Sequence, residues 1–194
     1  QAGDIARTCW LVAGGPEHVP GTTVDRQCGS AQQAVHFAAQ AVMAGVNDLV
    51  VAGGVQQMSQ IPISSAMTLA ADLGFPDPFS TSPGWVERYG PQEVSQFRGA
   101  ELIAEKWEIT RDDMEQFAVE SHTRALKAQA DGRFEAEIAP LEGLTFDEGP
   151  REPNVEKIRS LRTLVEGGRL TAACASQISD ASASILIASE QAVK

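Results

Sequence analysis

The sequence has little of the material from which disulfide frameworks, zinc sites and membrane spans are built. Its three cysteines, Cys9, Cys28 and Cys174, are odd in number, far apart and in no CxxC or Cys/His spacing. No apolar run approaches the roughly 18 residues that a membrane span needs, and the N-terminus lacks the basic and apolar regions of a signal peptide. We therefore expect a protein of the reducing cytoplasm, with no metal and no membrane association.

Positive charge is also scarce. The 194 residues include 15 Lys and Arg against 26 Asp and Glu, which gives a net charge of -11. Clustered Lys and Arg drive nucleic-acid binding, so this balance argues against a nucleic-acid partner. What is present, 43% hydrophobic and 21% charged residues, is typical of a globular chain long enough to bury a core. Any anionic ligand would need a local basic patch.

The first 57 residues alternate between strand and helix patterns. Thr22–Gln27 is short and β-branched, Ser30–Ala44 carries apolar residues at helical spacing, and Asp48–Ala52 is a continuous apolar run of buried-strand type. Gly45 would cap the helix, and the Gly53–Gly54 pair would end the second strand. Strand, helix and strand within about 30 residues predict a βαβ unit with a parallel sheet.

An irregular segment and two helices are expected next. Ser59–Pro91 holds five of the ten prolines and no sustained period, which is typical of an irregular covering segment. A first helix is predicted around Glu93–Lys106. A second would begin at Thr110, with Asp113 completing a capping box, and would end at Gly132.

The sheet pattern returns near the end of the chain. Ala183–Ala188 is again a buried-strand run and should rejoin the first sheet. We therefore expect residues 1–57 and 177–194 to form one α/β domain, with residues 58–176 as an insertion. The chain opens without Met and stops as Glu190–Lys194 begins a polar helical stretch, so an incomplete polypeptide is expected.

Cys28 is the candidate nucleophile. It follows the predicted first strand and precedes a helix that opens with Gly29, Ser30 and Ala31, so its sulfur should lie at the positive end of the helix dipole. Such a dipole contributes only about 0.3 to 1 kcal/mol. A second group, ordinarily a histidine, must therefore take the thiol proton.

No histidine of this chain is expected to serve as that base. His36 lies eight residues after Cys28 on the same predicted helix, about 12 Å away at 1.5 Å per residue. His18 lies in a Gly/Pro-rich connection, and His122 lies in the second helix of the insertion. The base is therefore predicted to be missing from these residues.

Four ordered motifs resemble those of the thiolases. Val24–Ala31 (VDRQCGSA), followed by Val51–Ser59 (VAGGVQQMS), resembles the pattern N-x-x-C-x-S-[GA] and, further on, [AG]-G-G-x-E-x-M-S. Gln1–Arg7 resembles Q-x-x-x-x-A-R, and Asp131–Pro140 resembles D-G-x-F-x-x-E-I-x-P. Leu170–Ala181 is similar to T-A-G-N-A-S-x-x-N/S-D-G-A. The order and the spacing match over essentially the whole chain.

The resemblance implies a thiolase-like α/β fold of two similar halves. This chain would hold the N-terminal βαβ half, with an inserted loop domain that covers coenzyme A, and would lack the C-terminal half. Cys28 would become acylated. Coenzyme A would be contacted by Ser176 at the pantetheine, by Ala172 in the same motif and by Arg151 near the nucleotide end. Coenzyme A and acyl-CoA would be substrates, no cofactor would be bound permanently, and the full-length protein would be a homodimer or homotetramer.

A local excess of basic residues supports an anion site in the insertion. Residues 151–169 hold five of the fifteen basic residues against three acids. The five are Arg151, Lys157, Arg159, Arg162 and Arg169. An anionic ligand could therefore bind this part of an otherwise acidic protein.

The chain also departs from the family pattern. Ala173 and Cys174 stand where thiolases usually have Gly and Asn, Gln56 replaces a common Glu, and the Ala181–Ser182 pair replaces Gly-Ala. The family's N-E-A-F, G-H-P-x-G and C-x-G-G motifs do not occur in these 194 residues. In thiolases those motifs supply the ligand of the oxyanion-hole water, the base and the proton-shuttling cysteine.

The leading hypothesis is a transferase that cleaves a 3-ketoacyl-CoA with free CoA, or condenses two acyl-CoA molecules in the reverse direction. The alternative is a non-catalytic thiolase-like protein that binds acyl-CoA or lipid, which the unusual Cys174–Ser182 stretch permits. A ketoacyl synthase relative fits less well, because the Q-C-G-S setting and the insertion resemble thiolases. The Ser176–Asp180 variant resembles thiolases of actinobacterial lipid or steroid degradation.

Overall fold

A computed structural model describes residues 3–194, so the first two residues of the motif Gln1–Arg7 lie outside the described part. In chain order the elements are α1 (Ile5–Val12), a 3-10 turn (Gln27–Gly29), α2 (Ser30–Met43), β1 (Leu49–Gln56), α3 (Ser65–Thr68), a second 3-10 turn (Ala71–Leu73), α4 (Pro83–Tyr89), α5 (Gln96–Lys106), α6 (Arg111–Ala130), α7 (Val155–Arg159), β2 (Ala181–Ala188) and α8 (Glu190–Val193).

The described residues divide into two compact units. Unit 1 holds those up to Leu69 together with Ile178–Lys194, and unit 2 is Ala70–Gln177. The division at residues 57 and 176 that the sequence suggests stays a prediction. None of the helices in the described residues combines the length and the apolar character needed to cross a bilayer.

The sheet of unit 1 consists of β1 and β2. The strands are antiparallel, with Leu49 opposite Ala188 and Gln56 opposite Ala181. The expectation that these two segments share one sheet is confirmed. The predicted end of the second strand at Gly53–Gly54 is wrong, because the ladder continues to Gln56.

The predicted strand at Thr22–Gln27 and the parallel βαβ unit built on it are also wrong. Thr22–Arg26 has no regular secondary structure, and Gln27 begins a 3-10 turn. The backbone N–H of Ile5 donates to Thr23 Oγ1 at 3.0 Å, and that hydroxyl donates to Asp4 at 3.2 Å. Side-chain bonds to the start of α1 thus hold this segment, and within residues 3–194 no strand pairs with it.

Helix α2 covers one face of the sheet. Its small residue Ala38 is 5% exposed and Ala52 of β1 is 4% exposed, so these two alanines mark a closely packed helix–strand contact. Gly45 ends the helix as expected, with φ +70 and its N–H bonded to the Val42 carbonyl at 3.0 Å. On the opposite face Val51 pairs with Leu186, and both remain about half exposed.

Unit 2 is built on α5 and α6. Helix α6 begins with the expected capping box, because the Thr110 hydroxyl and the Asp113 side chain each accept from the other residue's backbone N–H. Helix α5 begins at Gln96, three residues after the predicted start. The covering segment that was expected to be irregular contains α3, α4 and a 3-10 turn, of which α4 is capped by the Ser82 side chain.

Candidate active site

Cys28 occupies the turn that leads directly into α2. It is the central residue of the 3-10 turn Gln27–Gly29, and its thiol is free and exposed. The N-cap residue of α2 is Gly29, which has no side chain to bond the first amides of the helix. The expected junction with a helix N-terminus is therefore present, but an irregular segment precedes it instead of a strand.

The backbone before Cys28 is strained and firmly held. Gln27 has φ +52, a left-handed conformation that is costly for a residue with a side chain. Its N–H donates to Asp25 Oδ1 at 2.9 Å and its carbonyl accepts from the Ser30 hydroxyl at 2.7 Å. Ser30 Oγ also accepts from the Arg26 N–H at 2.8 Å. Strain fixed by several bonds is typical of a turn that presents a reactive side chain.

Arg26 places a positive charge at the start of α2. Its Nη1 donates to Gln33 Oε1 at 2.8 Å, and a Cβ built on Gly29 would lie 3.6 Å from Arg26 Cδ. The arginine stem therefore crosses the first turn of the helix that follows Cys28.

The two histidines of unit 1 form no bond with Cys28 among the described residues. His18 and His36, which belong to unit 1, have exposed side chains, and neither forms a hydrogen bond with Cys28 in the described residues. His122 belongs to unit 2, where its Nδ1 accepts from the Arg151 N–H at 3.3 Å. Among the described residues of unit 1, no histidine therefore bonds to Cys28.

Helix α6 holds the loop that carries Arg151. Besides the bond from Arg151 to His122, Gln129 Nε2 donates to the Asp147 carbonyl at 3.3 Å. Asp147 Oδ1 in turn accepts from the Gly149 N–H at 2.8 Å. Two side chains of one helix therefore anchor both ends of the loop.

This loop lies beside the motif that contains Ser176. A Cβ on Gly149 would lie 2.8 Å from Gln177 Nε2, so the Gln177 amide approaches the backbone of this loop closely. Ser176 and Ala172 are exposed, and the Ser176 hydroxyl makes no hydrogen bond within the described residues. Three candidate coenzyme A contacts therefore belong to neighbouring surface segments of unit 2.

The basic stretch divides into one paired and four unpaired residues. Arg169 Nη1 lies 3.6 Å from Glu101 Oε2. The other four are exposed and form no ion pair within residues 3–194; they are Arg151, Lys157, Arg159 and Arg162. Arg111 fixes the middle of the stretch, because its Nη2 donates to the Arg159 and Leu161 carbonyls at 2.9 Å each.

Cys174 closes a turn at the position where thiolases usually have Asn. Its Sγ accepts from the Thr171 N–H at 3.3 Å and donates to the Thr171 carbonyl at 3.2 Å. Thr171 is 1% exposed, so this turn rests on a fully buried residue. The substitution therefore keeps the turn ordered.

Sequence reasoning missed two anchoring carboxylates, Glu101 and Asp180. Glu101 bonds two backbone amides, those of Arg169 and Leu170, where the Ser176 motif begins. Asp180 accepts from the Ser59 hydroxyl and backbone N–H, which hold the pKa of Asp180 below its ordinary value. Ser59 and Asp180 each belong to a quoted motif, so the motifs could have indicated that both residues matter. Glu101 lies in none of the quoted motifs, so the sequence did not indicate its role.

A helix packed on a sheet, preceded by an exposed cysteine in a strained turn, defines an α/β protein with a candidate nucleophile. A sequence model described as "Thiolase, N-terminal domain" matches residues 1–191. The chain belongs to the thiolase family and has its α/β fold.

Three relatives illustrate the similarity. The chain is 60% identical over 198 residues to a steroid 3-ketoacyl-CoA thiolase of Mycobacterium tuberculosis. It is 36% identical to a 3-oxoadipyl-CoA/3-oxo-5,6-dehydrosuberyl-CoA thiolase of Escherichia coli and 36% identical to an acetyl-CoA acetyltransferase of Saccharomyces cerevisiae. The alignments cover 100%, 98% and 97% of this chain, but only 49%, 53% and 51% of the relatives. The chain thus spans about half the length of the curated relatives it matches.

Proposed function

We propose that this chain is the nucleophile-bearing part of a thiolase-type acyltransferase, with Cys28 as the residue that accepts the acyl group. The observation that carries the proposal is the exposed Cys28 in a strained turn, held by Asp25 and Ser30 at the start of α2. Membership of the thiolase family supports the reaction class.

The acylation step transfers an acyl group between two sulfur atoms. Cys28 Sγ, as thiolate, attacks the carbonyl carbon of an acyl-CoA thioester, and the bond from that carbon to the coenzyme A sulfur breaks. Coenzyme A leaves as a thiolate and takes up the proton that Cys28 lost, so the products are acyl-Cys28 and free CoA. The exposed position of Cys28 at the start of α2 leaves its sulfur accessible to the thioester.

Unit 2 is proposed to be the loop domain of the family and to hold coenzyme A. Arg151 would contact the nucleotide end, while Ala172 and Ser176 would contact the pantetheine. The proximity of Gly149 to Gln177 supports this assignment, because it brings the Arg151 loop beside the Ser176 motif. The four basic side chains without ion pairs supply charge for the phosphates.

The substrate is proposed to be a steroid-derived 3-ketoacyl-CoA, from which Cys28 would receive the shortened acyl group. The support is the 60% identity to a mycobacterial steroid 3-ketoacyl-CoA thiolase, against 36% to a yeast acetyl-CoA acetyltransferase. The cytoplasmic location and the homodimeric or homotetrameric state stay predictions.

Intact-protein mass spectrometry tests the nucleophile. The 194-residue chain is incubated with acetyl-CoA, and the mass increase of one acetyl group is located by peptide mapping. Cys28→Ser is the test variant and Cys9→Ser the matched control, because both cysteines are free and exposed. We expect the adduct to disappear in Cys28→Ser and to persist in Cys9→Ser.

Two results would contradict the proposal. An adduct that persists in Cys28→Ser would place the reaction on another residue. Saturable CoA binding without an adduct, at any pH between 7 and about 9 where a free thiol begins to ionise, would favour the alternative of a non-catalytic acyl-CoA-binding protein.

A further inference from the structure

Glu101 of α5 is a partly buried carboxylate whose bonds are made far along the chain. Its Oε1 accepts from the N–H of Arg169 at 2.6 Å and from the N–H of Leu170 at 2.7 Å. Its side chain is 15% exposed, and Oε2 lies 3.6 Å from Arg169 Nη1. A carboxylate that accepts two backbone amides forms strong, charge-assisted bonds.

The absence of a side chain at Gly168 leaves room for the Glu101 carboxylate. A Cβ on Gly168 would lie 2.5 Å from Glu101 Oε1, a separation that no ordinary contact allows. Gly167, with φ +72, makes the turn that precedes the bonded amides. Any larger residue at position 168 would therefore displace the Glu101 carboxylate.

Further hydrogen bonds hold the residues that follow the Glu101 contact, up to the proposed coenzyme A contact Ala172. Leu170, which is 8% exposed, accepts through its carbonyl from the Leu164 N–H at 2.8 Å. The buried Thr171 follows, and its Oγ1 accepts from the Ala173 N–H at 3.3 Å. Glu101 thus fixes the first residues of a hydrogen-bonded segment that includes Ala172.

We propose that Glu101 is a positioning residue that fixes the segment Arg169–Ser176 in the conformation that binds the pantetheine part of coenzyme A. Glu101 does not itself contact the coenzyme; it acts through Arg169, Leu170 and the Thr171 turn. The inference rests on the proposed function, since Ala172 and Ser176 are the proposed contacts. It adds a residue that lies outside the motifs quoted for the family.

Two measurements on the 194-residue chain test the role. Amide hydrogen exchange, followed by mass spectrometry, reports the order of residues 168–176 without any ligand. Isothermal titration with CoA and the concentration dependence of Cys28 acetylation by acetyl-CoA report binding and the limiting rate. The variants are Glu101→Ala, Glu101→Gln and Gly168→Ala. The control is Glu105→Ala, which removes an exposed carboxylate one turn further along α5.

In Glu101→Ala and Gly168→Ala we expect exchange in 168–176 to accelerate roughly tenfold and CoA affinity to fall roughly tenfold, the cost of about one bond to a charged group. The limiting acetylation rate should stay unchanged, because Cys28 is not altered. Glu101→Gln should keep most of the binding, since its amide oxygen can still accept both N–H groups. Glu105→Ala should behave as the unaltered chain.

Faster exchange throughout α6 as well would mean that Glu101 stabilises unit 2 in general, and would overturn the positioning role. Unchanged CoA affinity in both Glu101→Ala and Gly168→Ala would overturn it too, and Gly168→Ala retains this test if Glu101→Ala does not fold. If the unaltered chain binds no CoA, the proposed coenzyme site and the inference that depends on it are both overturned. The exchange result would then show only whether Glu101 orders the segment.

Discussion

Ser59 donates both its hydroxyl and its backbone N–H to the carboxylate of Asp180, 121 residues further along the chain. The bond to the N–H is 2.9 Å long. Ser59 follows β1 and Asp180 immediately precedes β2, so the pair joins the two segments of unit 1 beside the ends of its paired strands. The carboxylate therefore links the two segments by hydrogen bonds at this end of the sheet.

The hydrogen bonds between Ser59 and Asp180 predict an acid-dependent loss of stability. The Ser59 hydroxyl and then its N–H hold the pKa of Asp180 below its ordinary value in the folded chain. The ionised form is thus favoured by folding, so its contribution is complete above the ordinary aspartate pKa of about 3.9 and is lost as the pH falls through the lower folded-state value. Urea unfolding from pH 7 down to about 2 should show a smaller acid-dependent loss in Asp180→Asn than in the unaltered chain.

The control for that measurement is Asp72→Asn. Asp72 is exposed and its side chain makes no hydrogen bond in the described residues. If the acid-dependent loss of stability changes equally in the two variants, the hydrogen bonds between Ser59 and Asp180 are not responsible for it.

The positive φ of Gln27 predicts that a β-branched residue at this position destabilises the chain. Because φ is +52, Gln27→Val should destabilise the chain by about 1 to 2 kcal/mol and slow acetylation of Cys28. Gln27→Asn should be tolerated, since Asn adopts the left-handed region more readily. Urea unfolding and the acetylation rate measure the two effects.

Gln32→Val on the exposed surface of α2 is the matched control for Gln27→Val. It should cost less than about 1 kcal/mol, the range of helix propensities. Equal acetylation rates in both valine variants would show that the Gln27 conformation does not position Cys28.

Two adjacent glycines in β1 are expected to differ in how well they tolerate substitution by alanine. A Cβ on Gly53 would lie 2.7 Å from the Ala183 carbonyl oxygen, whereas one on Gly54 would meet nothing within 4 Å. Gly53→Ala should therefore destabilise the chain by about 1 to 3 kcal/mol, and Gly54→Ala should be nearly neutral. Urea unfolding of the two variants measures the difference, and equal costs would argue against the observed strand register.

The chain by itself should be a poor catalyst. Transfer needs a thiolate, a base that regenerates it and donors for the thioester oxygen, and unit 1 supplies Cys28 with no histidine partner among its described residues. Losing a base and an oxyanion site commonly costs factors of about 100 to 1,000 each. Thiolysis of acetoacetyl-CoA should therefore stop at slow, stoichiometric acylation. Multiple turnovers that vanish in Cys28→Ala would show that these residues contain a base after all.

The sequence by itself determined the local features and the family. Thr110 and Asp113 form the expected capping box, and Gly45 ends α2 as expected. Such features depend on residues three or four positions apart, so their chemistry can be read directly from the chain. The thiolase motifs likewise identified the family and Cys28 as the candidate nucleophile, a role that stays a proposal.

Tertiary structure decided the features that depend on distant partners. The strand expected at Thr22–Gln27 does not form, because strand formation requires a neighbouring strand and side-chain bonds to α1 take its place. Glu101 and Asp180 have carboxylates like any other in the sequence, yet their partners lie 68 and 121 residues away. Which carboxylate becomes an anchor depends on where the folded chain returns, and residue spacing alone does not contain that information.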